Sequence, residues 1–385
     1  MKILILCAVD FTAYHLLHSL GAGLRDAGHQ VTYCCSPGPG LDRLGGEGFG
    51  TAGIEIARSY NMLRHARSFV RLTRFMREGR FDVVHAHTPV AGLIGRMAAR
   101  VARVPVIIYT SHGFYFHEGT GRLSRAVFVA LERFGAALCD LVFVVSEEDA
   151  RAAVRERIAP ETKIVHLPNG ANPERYDRSR YAAEAAAFRR EHGLGRAPVA
   201  GFVGRIVVEK GVIELVRAAS IVKRAMPEAK FVMVGEPLPS DRDDCWGEVM
   251  RLRDELGLGE SLVLTGYRTD VPAILAALDL FVLPSYREGM PYALLEAMAT
   301  GLPVVATNIR GCREEVVEGV TGVLVPPRDV GELAGAIAKI LSTGGLAARM
   351  GAAGRSRVLE KFDERVLIAR EVGIIEGIAH RKLQK

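Results

Sequence analysis

The sequence predicts an α/β protein with two successive doubly wound domains. Short apolar runs rich in β-branched residues alternate with longer stretches of helical spacing along the 385 residues of the chain. Several of these runs are apolar at consecutive positions, which is typical of parallel strands covered on both faces. A polar stretch, residues 174–196, interrupts the alternation, and a second cycle begins at Val199. The length is sufficient for two separate cores.

The strands and helices can be placed in order along the chain. The predicted strands are residues 3–7, 31–34, 83–85, 106–109, 142–145 and 164–167, then 200–203, 231–234, 262–264, 280–283 and 304–306. Helical spacing fills the connections, as over residues 122–138. Ser146-Glu-Glu-Asp149 has the pattern of a capping box at a helix start. These elements place the first domain at residues 1–180, the second at 197–362 and a last helix within 363–385.

Composition and charge restrict the class of protein. A net charge of +6 and a pI near 9.0 leave acidic partners open, with nucleic acid and anionic lipid the obvious two. The six cysteines are scattered without zinc spacing, which indicates reduced thiols in a cytosolic protein. The amino-terminal apolar run is too short for a signal peptide, and no run approaches the roughly 20 residues of a membrane helix.

Two nucleotide-binding motifs are excluded. Gly21-Ala-Gly23 with Gly28 has the wrong spacing for a dinucleotide fingerprint and does not follow the first strand. The chain also has no Gly-x4-Gly-Lys-Ser/Thr motif. The sequence therefore indicates neither a nicotinamide site nor P-loop chemistry.

Charged residues follow two strands of the second predicted domain. Glu288 lies on the loop after strand 280–283, and Glu296 lies about two turns into the next helix. Such a strand-to-helix junction favours an anion, because free backbone N–H groups and the helix dipole point at it. Arg205 and Lys210 follow strand 200–203, and a planar guanidinium with a compact ammonium suits two linked phosphates.

These motifs resemble those of the family 4 retaining glycosyltransferases, which have the GT-B fold. The resemblance extends from Lys2 to about Phe362. It rests on the Glu-x7-Glu spacing of Glu288 and Glu296, on Gly204-Arg-Ile-Val-Val-Glu-Lys-Gly211, Ser111-His-Gly-Phe114 and Pro168-Asn-Gly170, and on Thr307-Asn-Ile-Arg-Gly311-Cys-Arg-Glu-Glu315 leading to Gly322-Val-Leu-Val-Pro-Pro327. His112-Gly-Phe-Tyr-Phe and Tyr286-Arg-Glu-Gly-Met-Pro are most similar to the capsule and exopolysaccharide branch.

The resemblance implies a fold, a reaction and a set of site residues. Two Rossmann-like domains are expected to face each other across a cleft, with the last helix packing back on the first. The reaction is expected to need neither metal nor cofactor and to proceed with retention, without a covalent intermediate. Arg205 and Lys210 would bind the diphosphate, Glu288 the sugar hydroxyls and Glu296 the ribose. The remaining donor contacts would be His112, the backbone amides of Gly289, Met290 and Tyr292, and, for the base, Gly266, Tyr267 and Arg268.

Other positions depart from the family pattern or leave alternatives open. Pro291 replaces a small residue and removes one possible N–H donor. Asp10 and Phe11 follow the first strand, where many relatives have a Gly-Gly pair, and are candidates for acceptor contacts. His85 and His87 alternate at a strand end. They are candidates for residues that support the site without contacting the ligand, and metal ligation is the competing interpretation. The sequence has no third potential metal ligand nearby at a characteristic spacing.

A basic helix is predicted over residues 62–80. Four of its arginines recur at three- and four-residue spacing and so share one face, which fits either a solvated helix or a helix docked on anionic lipid. They are Arg64, Arg67, Arg71 and Arg74.

The combined reading is a cytoplasmic enzyme, peripheral on the inner face of the cytoplasmic membrane. It would transfer a hexose or N-acetylhexosamine from a UDP-sugar to a polyprenyl-diphosphate-linked or related glycan acceptor. The alternatives are a nucleotide-sugar epimerase of the same architecture and a non-catalytic protein that binds nucleotide sugars or nucleic acid. The set Arg205, Lys210, Glu288 and Glu296 argues against both.

Overall fold

The alternating pattern of the sequence forms two parallel sheets, each in its own unit of structure. A computed structural model describes residues 1–56, 62–116, 119–238, 241 and 243–384. The chain divides into one unit of residues 1–168 with 366–385 and a second unit of residues 169–365.

The described part of the first unit contains a seven-stranded sheet in the order β3-β2-β1-β4-β5-β6-β7, with every pair parallel. Its strands are β1 Lys2–Leu6, β2 Gln30–Cys35, β3 Gly50–Gly53, β4 Val83–His87, β5 Val106–Ser111, β6 Leu141–Val144 and β7 Ile164–His166. Its helices are α1 Asp10–His15, α2 His18–Asp26, α3 Pro39–Gly46, α4 Met62–Gly79, α5 Pro89–Ala102, α6 Arg122–Ala137 and α7 Glu147–Arg155.

Both faces of this first sheet are covered. Along β1, Ile3 and Ile5 face a core formed with α1, α2 and α3, and Leu4 and Leu6 face a core formed with α4 to α7. The last helix of the chain, α16 Glu364–Leu383, adds Leu367, Val372, Ile375 and Ala379 to the first of these cores. The consecutive apolar residues of the strands are therefore explained by burial on two sides.

The described part of the second unit contains a six-stranded parallel sheet in the order β10-β9-β8-β11-β12-β13. Its strands are β8 Val199–Val203, β9 Lys230–Val234, β10 Leu262–Leu264, β11 Leu280–Leu283, β12 Val304–Thr307 and β13 Gly322–Val325. Its helices are α8 Ala182–Glu191, α9 Val212–Ala225, α10 Trp246–Glu255, α11 Val271–Ala276, α12 Tyr292–Ala299, α13 Cys312–Glu315, α14 Val330–Ser342 and α15 Leu346–Lys361.

The units divide at a different residue from the one that the sequence indicates. The polar stretch 174–196 forms α8, whose Ala185 and Phe188 are buried. From the same helix, Arg189 donates hydrogen bonds to the carbonyl oxygens of Ala277, at 2.6 Å, and of Ala197. These contacts attach the stretch to the second unit, so the division falls at Pro168.

Two strands lie outside the sequence prediction. Strand β3 is an edge strand with mostly exposed residues, Gly-Thr-Ala-Gly, and lacks an apolar run. Strand β13, Gly322–Val325, is only partly buried and lies at one edge of the six-stranded sheet of the second unit. By contrast, Ser146 caps α7 as its sequence pattern predicts, and its hydroxyl accepts the Asp149 N–H at 3.0 Å.

The six cysteines, all within the described residues, are buried free thiols. Among the described residues no helix combines the length and hydropathy of a membrane span.

Candidate functional site

The charged residues of the second unit collect where the order of its sheet reverses. Strand β8 lies between β9 and β11, and the chain order runs in opposite directions on its two sides. Open parallel sheets bind ligands beyond the carboxyl ends of their strands at such a switch point. Arg205 follows β8, Lys210 ends the short 3-10 helix Val208–Lys210 after it, and Glu288 follows β11, so all three lie at this position.

Lys210 and Glu288 form an ion pair. The Lys210 Nζ lies 2.6 Å from Glu288 Oε1, and the side chains are only 20% and 11% exposed. The hydroxyl of Ser285 donates to the same oxygen at 2.7 Å. Glu288 is therefore held by two donors at Oε1, while the ammonium has two further protons available to other acceptors.

A close approach of two loops creates this pair. The backbone N–H of Tyr286 donates to Glu209 O at 2.8 Å, and Arg287 Nε bonds the Glu209 carboxylate at 2.6 Å. Gly211 closes the gap, because a Cβ at this residue would lie 2.0 Å from Pro284 O, and its φ of +68° is unfavourable for other residues. The glycine thus permits the contact that places Lys210 beside Glu288.

Arg205 also has a carboxylate partner. Its guanidinium is ion-paired with Asp241, whose side chain is 3% exposed against 33% for Arg205. Asp241 is fixed in turn by the Leu238 N–H at 2.9 Å. A guanidinium has five N–H donors, so the pair orients Arg205 and leaves donors directed elsewhere.

Glu296 lies half-buried on α12. It is the fifth residue of the helix, so it lies about one turn in and not about two as the sequence suggests. Burial raises the pKa of its carboxyl to about 7, against the opposing hydrogen bond from the Tyr176 hydroxyl and the charge of Arg175. Tyr176 is itself 5% exposed. Near neutral pH this carboxyl is therefore divided between its two protonation states.

The loop before α12 is packed tightly. Gly289 lies against Gly311, where a Cβ would approach Gly289 O to 2.4 Å. Met290 is buried, and its carbonyl oxygen accepts the Asn169 side-chain amide at 2.7 Å. Tyr292 is the first residue of α12, after Pro291 as N-cap. The backbone of this segment is thus fixed by neighbours on both sides.

The three residues suggested for base binding have different environments. Gly266 accepts a backbone hydrogen bond from Gly235 at 2.8 Å, which ties it to the loop after β9. Tyr267 is 46% exposed. Arg268 forms an ion pair with Asp270 at 2.7 Å.

In the first unit, His112 belongs to a group of buried histidines. Its Nε2 lies 3.2 Å from His87 Nδ1, and the His87 ring packs on His85 with centroids 4.1 Å apart. Burial lowers the pKa of His112 to about 4, and burial with the nearby His112 lowers that of His85 to about 3. The rings are neutral at neutral pH, so one nitrogen of the His87–His112 contact donates and the other accepts.

The acceptor candidates follow β1. Asp10 begins α1, and its carboxylate accepts the Gly40 N–H at 2.9 Å. The ring of Phe11 packs on His15 with centroids 4.3 Å apart.

Within the described residues, no group of three or more His, Cys, Asp and Glu side chains could hold a metal ion. This holds also for His85, His87 and His112.

Several residues of the site escape sequence reasoning. Asp241 and Tyr176 lie far along the chain from Arg205 and Glu296, in segments without a motif. Ser285 lies two residues after the end of β11, in the segment that carries Glu288, which is a usable signal in the sequence. Together these residues give each cation and each carboxyl of the site a fixed partner before any ligand binds.

Two family models match the chain. The model described as Glycosyltransferase Family 4 matches residues 15–175, and the one described as Glycosyl transferases group 1 matches residues 185–357.

Curated relatives cover most of the chain. The UDP-Gal:alpha-D-GlcNAc-diphosphoundecaprenol alpha-1,3-galactosyltransferase of Escherichia coli is 30% identical over 74% of this chain and 73% of its own. The capsular polysaccharide biosynthesis glycosyltransferase CapM of Staphylococcus aureus is 26% identical over 82% and 81%. A GDP-mannose-dependent alpha-(1-6)-phosphatidylinositol monomannoside mannosyltransferase of Mycolicibacterium smegmatis is 30% identical over 84% and 86%.

A solved structure has the same fold. Anabaena Alr3699/HepE in complex with UDP and glucose superposes with a TM-score of 0.84 at 23% identity, over 98% of this chain and 99% of that one. The predicted class of two doubly wound Rossmann-like domains is thereby confirmed.

We expect Gly211→Ala to destabilise the second unit by more than the cost of placing a residue with a Cβ at a positive φ. A positive φ costs a residue with a Cβ about 1–2 kcal/mol, and here the Cβ also meets Pro284 O. Gly257→Ala is the matched control, because its φ of +62° is similar and a Cβ there meets nothing within 4 Å. Denaturant unfolding measures both, and equal losses would contradict the close approach.

We expect Glu296→Gln to change how stability depends on pH. Because the folded pKa is raised, the parent loses stability as pH rises from about 4.5 to about 7, by up to about 3 kcal/mol in total. Glutamine cannot ionise, so relative to the parent the variant gains stability across this window. Thermal melts at several pH values test this against the exposed control Glu228→Gln, and parallel curves for Glu296→Gln and the parent would refute it.

Proposed function

This chain belongs to the family 4 glycosyltransferases of GT-B fold, in their capsule and polysaccharide branch, and from that premise we propose its reaction. The donor is a UDP-sugar carrying a hexose or N-acetylhexosamine. The acceptor is a polyprenyl-diphosphate-linked or related glycan, and the product keeps the anomeric configuration of the donor.

The Lys210–Glu288 ion pair at the switch point is the observation that carries the proposal. A departing diphosphate must be neutralised, and fixed cations on loops at strand ends can do this without a metal. The ammonium of Lys210 can donate to phosphate while it keeps its bond to Glu288. Arg205, oriented by Asp241, supplies a planar fork for the second phosphate.

The other candidates have roles that follow from these two cations. Glu288 accepts hydrogen bonds from sugar hydroxyls through its second oxygen, and Glu296 accepts them from the ribose. Gly289, Met290 and Tyr292 offer backbone amides, and Gly266, Tyr267 and Arg268 border the base. In the first unit, His112 contacts the donor sugar, and Asp10 and Phe11 contact the acceptor. Donor binding is thus assigned mainly to the second unit, with His112 of the first, and acceptor binding to the first unit.

We propose that the acceptor attacks the same face of the sugar from which UDP departs, so that the anomeric configuration is retained. The acceptor hydroxyl oxygen forms a bond to the anomeric carbon as the bond from that carbon to the β-phosphate oxygen breaks. The hydroxyl proton passes to the departing phosphate, which leaves as part of UDP. Arg205 and Lys210 stabilise the negative charge that develops on the diphosphate.

The lipid-linked acceptor is supported by two curated relatives, and the UDP-sugar donor by one of them. The E. coli relative is named for UDP-galactose and a diphosphoundecaprenol acceptor, and the mycobacterial one for GDP-mannose and a phosphatidylinositol mannoside. Both acceptors carry a lipid. We therefore assign a lipid-linked glycan acceptor and place the enzyme peripherally on the cytoplasmic face of the membrane.

Helix α4 supplies a basic surface for this membrane. Four of its five arginines share the predicted face and are exposed; Arg64 lies 3.7 Å from Glu55, and Arg74 lies 2.7 Å from Glu78. Exposed ion pairs of this kind contribute little to stability. The arginines can therefore exchange their carboxylate partners for another anion. The arginines are Arg64, Arg67, Arg71 and Arg74.

Donor turnover tests the proposed reaction. We expect hydrolysis of one UDP-sugar, from a panel of UDP-, GDP- and ADP-sugars, to fall at least about 100-fold in Lys210→Ala and in Arg205→Ala. Arg251→Ala, an exposed arginine on α10, is the control and should keep full activity. EDTA should have no effect. Full activity in both site variants, loss of activity with EDTA, or epimerised donor as the only product would refute the proposal.

Vesicle binding tests the α4 surface. Each cation near an anionic membrane contributes about 1 kcal/mol, so replacing the four arginines by glutamine should weaken binding at low salt by about 100- to 1000-fold. The control replaces four exposed arginines of the second unit, with the same change of charge: Arg190, Arg196, Arg224 and Arg251. Sedimentation with phosphatidylglycerol vesicles measures both, and equal weakening would show that only net charge matters.

A further inference from the structure

Helix α6 of the first unit has an apolar outer face. All sixteen of its residues are described, and the exposed ones are mostly apolar. Leu123 is 81% exposed, Val127 51%, Leu131 45% and Phe134 50%. Exposed helix faces are normally polar, so a face of this kind indicates an interaction surface. The other exposed residues are Arg122, Ser124, Ala126, Ala130, Arg133 and Ala137.

The large apolar side chains form one continuous stripe. Positions 123, 127, 131 and 134 are separated by four, four and three residues, which aligns them on one side of a helix. The stripe is about 16 Å long at 1.5 Å per residue. Tyr115, 42% exposed, stacks on Phe128 of the same helix with ring centroids 5.5 Å apart, and so adds an aromatic ring to the region.

The inner face of α6 holds the helix in place without help from the outer one. Val129 and Ala136 are buried in the core. Glu132 lies 3.6 Å from Arg96, whose guanidinium packs over the Tyr109 ring at 3.8 Å from its centroid. The outer stripe therefore contributes no core contact, and its substitution should leave the fold intact.

The charges on and near α6 favour one occupant. The exposed charged residues of the helix, which is fully described, are Arg122 and Arg133, and its one carboxylate, Glu132, turns inward. Helix α4 packs over the same core with α5 between them, and it exposes Met62, Leu63 and Val70 beside its arginines. A second copy of this chain carries the same net charge of +6, so its charge does not complement this face. An anionic bilayer accepts cations at its headgroups and apolar side chains below them.

We propose that the outer face of α6 inserts into an anionic lipid surface, beside the electrostatic contact made by α4. The proposal rests on the lipid-linked acceptor of the proposed function and adds the element that enters the bilayer. Electrostatic attachment fades as the Debye length shortens from about 10 Å at 0.1 M salt to about 3 Å at 1 M. Burial of apolar side chains does not depend on such screening, so α6 provides the part of the binding that resists salt.

Vesicle partitioning at two salt concentrations separates the two helices. The α6 variant combines Leu123→Ser, Leu131→Ser and Phe134→Ser; the control combines Leu256→Ser, Val320→Ser and Leu359→Ser in the second unit, which are 39%, 54% and 49% exposed. With vesicles of equal parts phosphatidylglycerol and phosphatidylcholine in 1 M salt, the α6 variant should bind at least about 100-fold more weakly than the parent. The control and the α4 glutamine variant should keep this salt-resistant binding.

Fluorescence gives an independent test that does not rely on loss of function. In a Trp246→Phe background, Leu131→Trp places the one tryptophan of the chain on the stripe. Its emission should shift to the blue with vesicles and be quenched by lipids brominated on their acyl chains. Unchanged emission would overturn the proposal, and so would salt-resistant binding equal to the parent's in the α6 variant. A parent dimer that this variant converts to monomer would instead make the stripe a contact between copies.

Hydrolysis of the soluble donor is measured on every variant. Its absence in the parent would refute the proposed transferase, whereas normal hydrolysis with failed insertion would refute only the role of α6.

Discussion

The parallel pairing of β8 with β11 is the constraint on which the candidate site depends. Pairing of Ala200 with Leu280 sets two strands side by side although eighty residues separate them, and both loops leave the same edge of the sheet. The close contact of Gly211 with Pro284 then joins these loops. Without it, Lys210 and Glu288 would be two solvated side chains. The chemistry of the site thus follows from backbone geometry before any side chain is considered.

The fold was more predictable than the partners within the site. Apolar runs identify the central strands, because burial of both faces of a strand requires apolar residues at consecutive positions. A single sequence is enough to show this pattern. Strand β3 was missed because it lacks an apolar run, and β13 was missed although it has one, whereas the other two edge strands, β7 and β10, were predicted. Asp241 was not predictable either, because its pairing with Arg205 joins two loops that the pattern does not relate. Likewise the polar stretch 174–196, which suggests a domain boundary in the sequence, forms α8. Its contacts with the second unit, such as those of Arg189, are visible only in the folded chain.

Charge compensation gives the site its character. Each cation is held by a carboxylate of low exposure, which lowers the cost of keeping two positive groups close together without ligand. The first unit solves the same problem differently, with histidines whose burial keeps them neutral. At these positions the second unit therefore holds fixed charge, and the first holds neutral hydrogen-bonding groups.

The course of α16 has a consequence for how the chain matures. Its apolar residues complete the core of the first unit, yet they follow the whole second unit in the chain. As the ribosome releases a chain from its amino terminus, most of the first unit emerges early with part of one face of its sheet uncovered, while the second unit is still being translated. The first unit must wait for a helix that is made after the second unit, so the nascent chain exposes apolar surface until α16 has been translated.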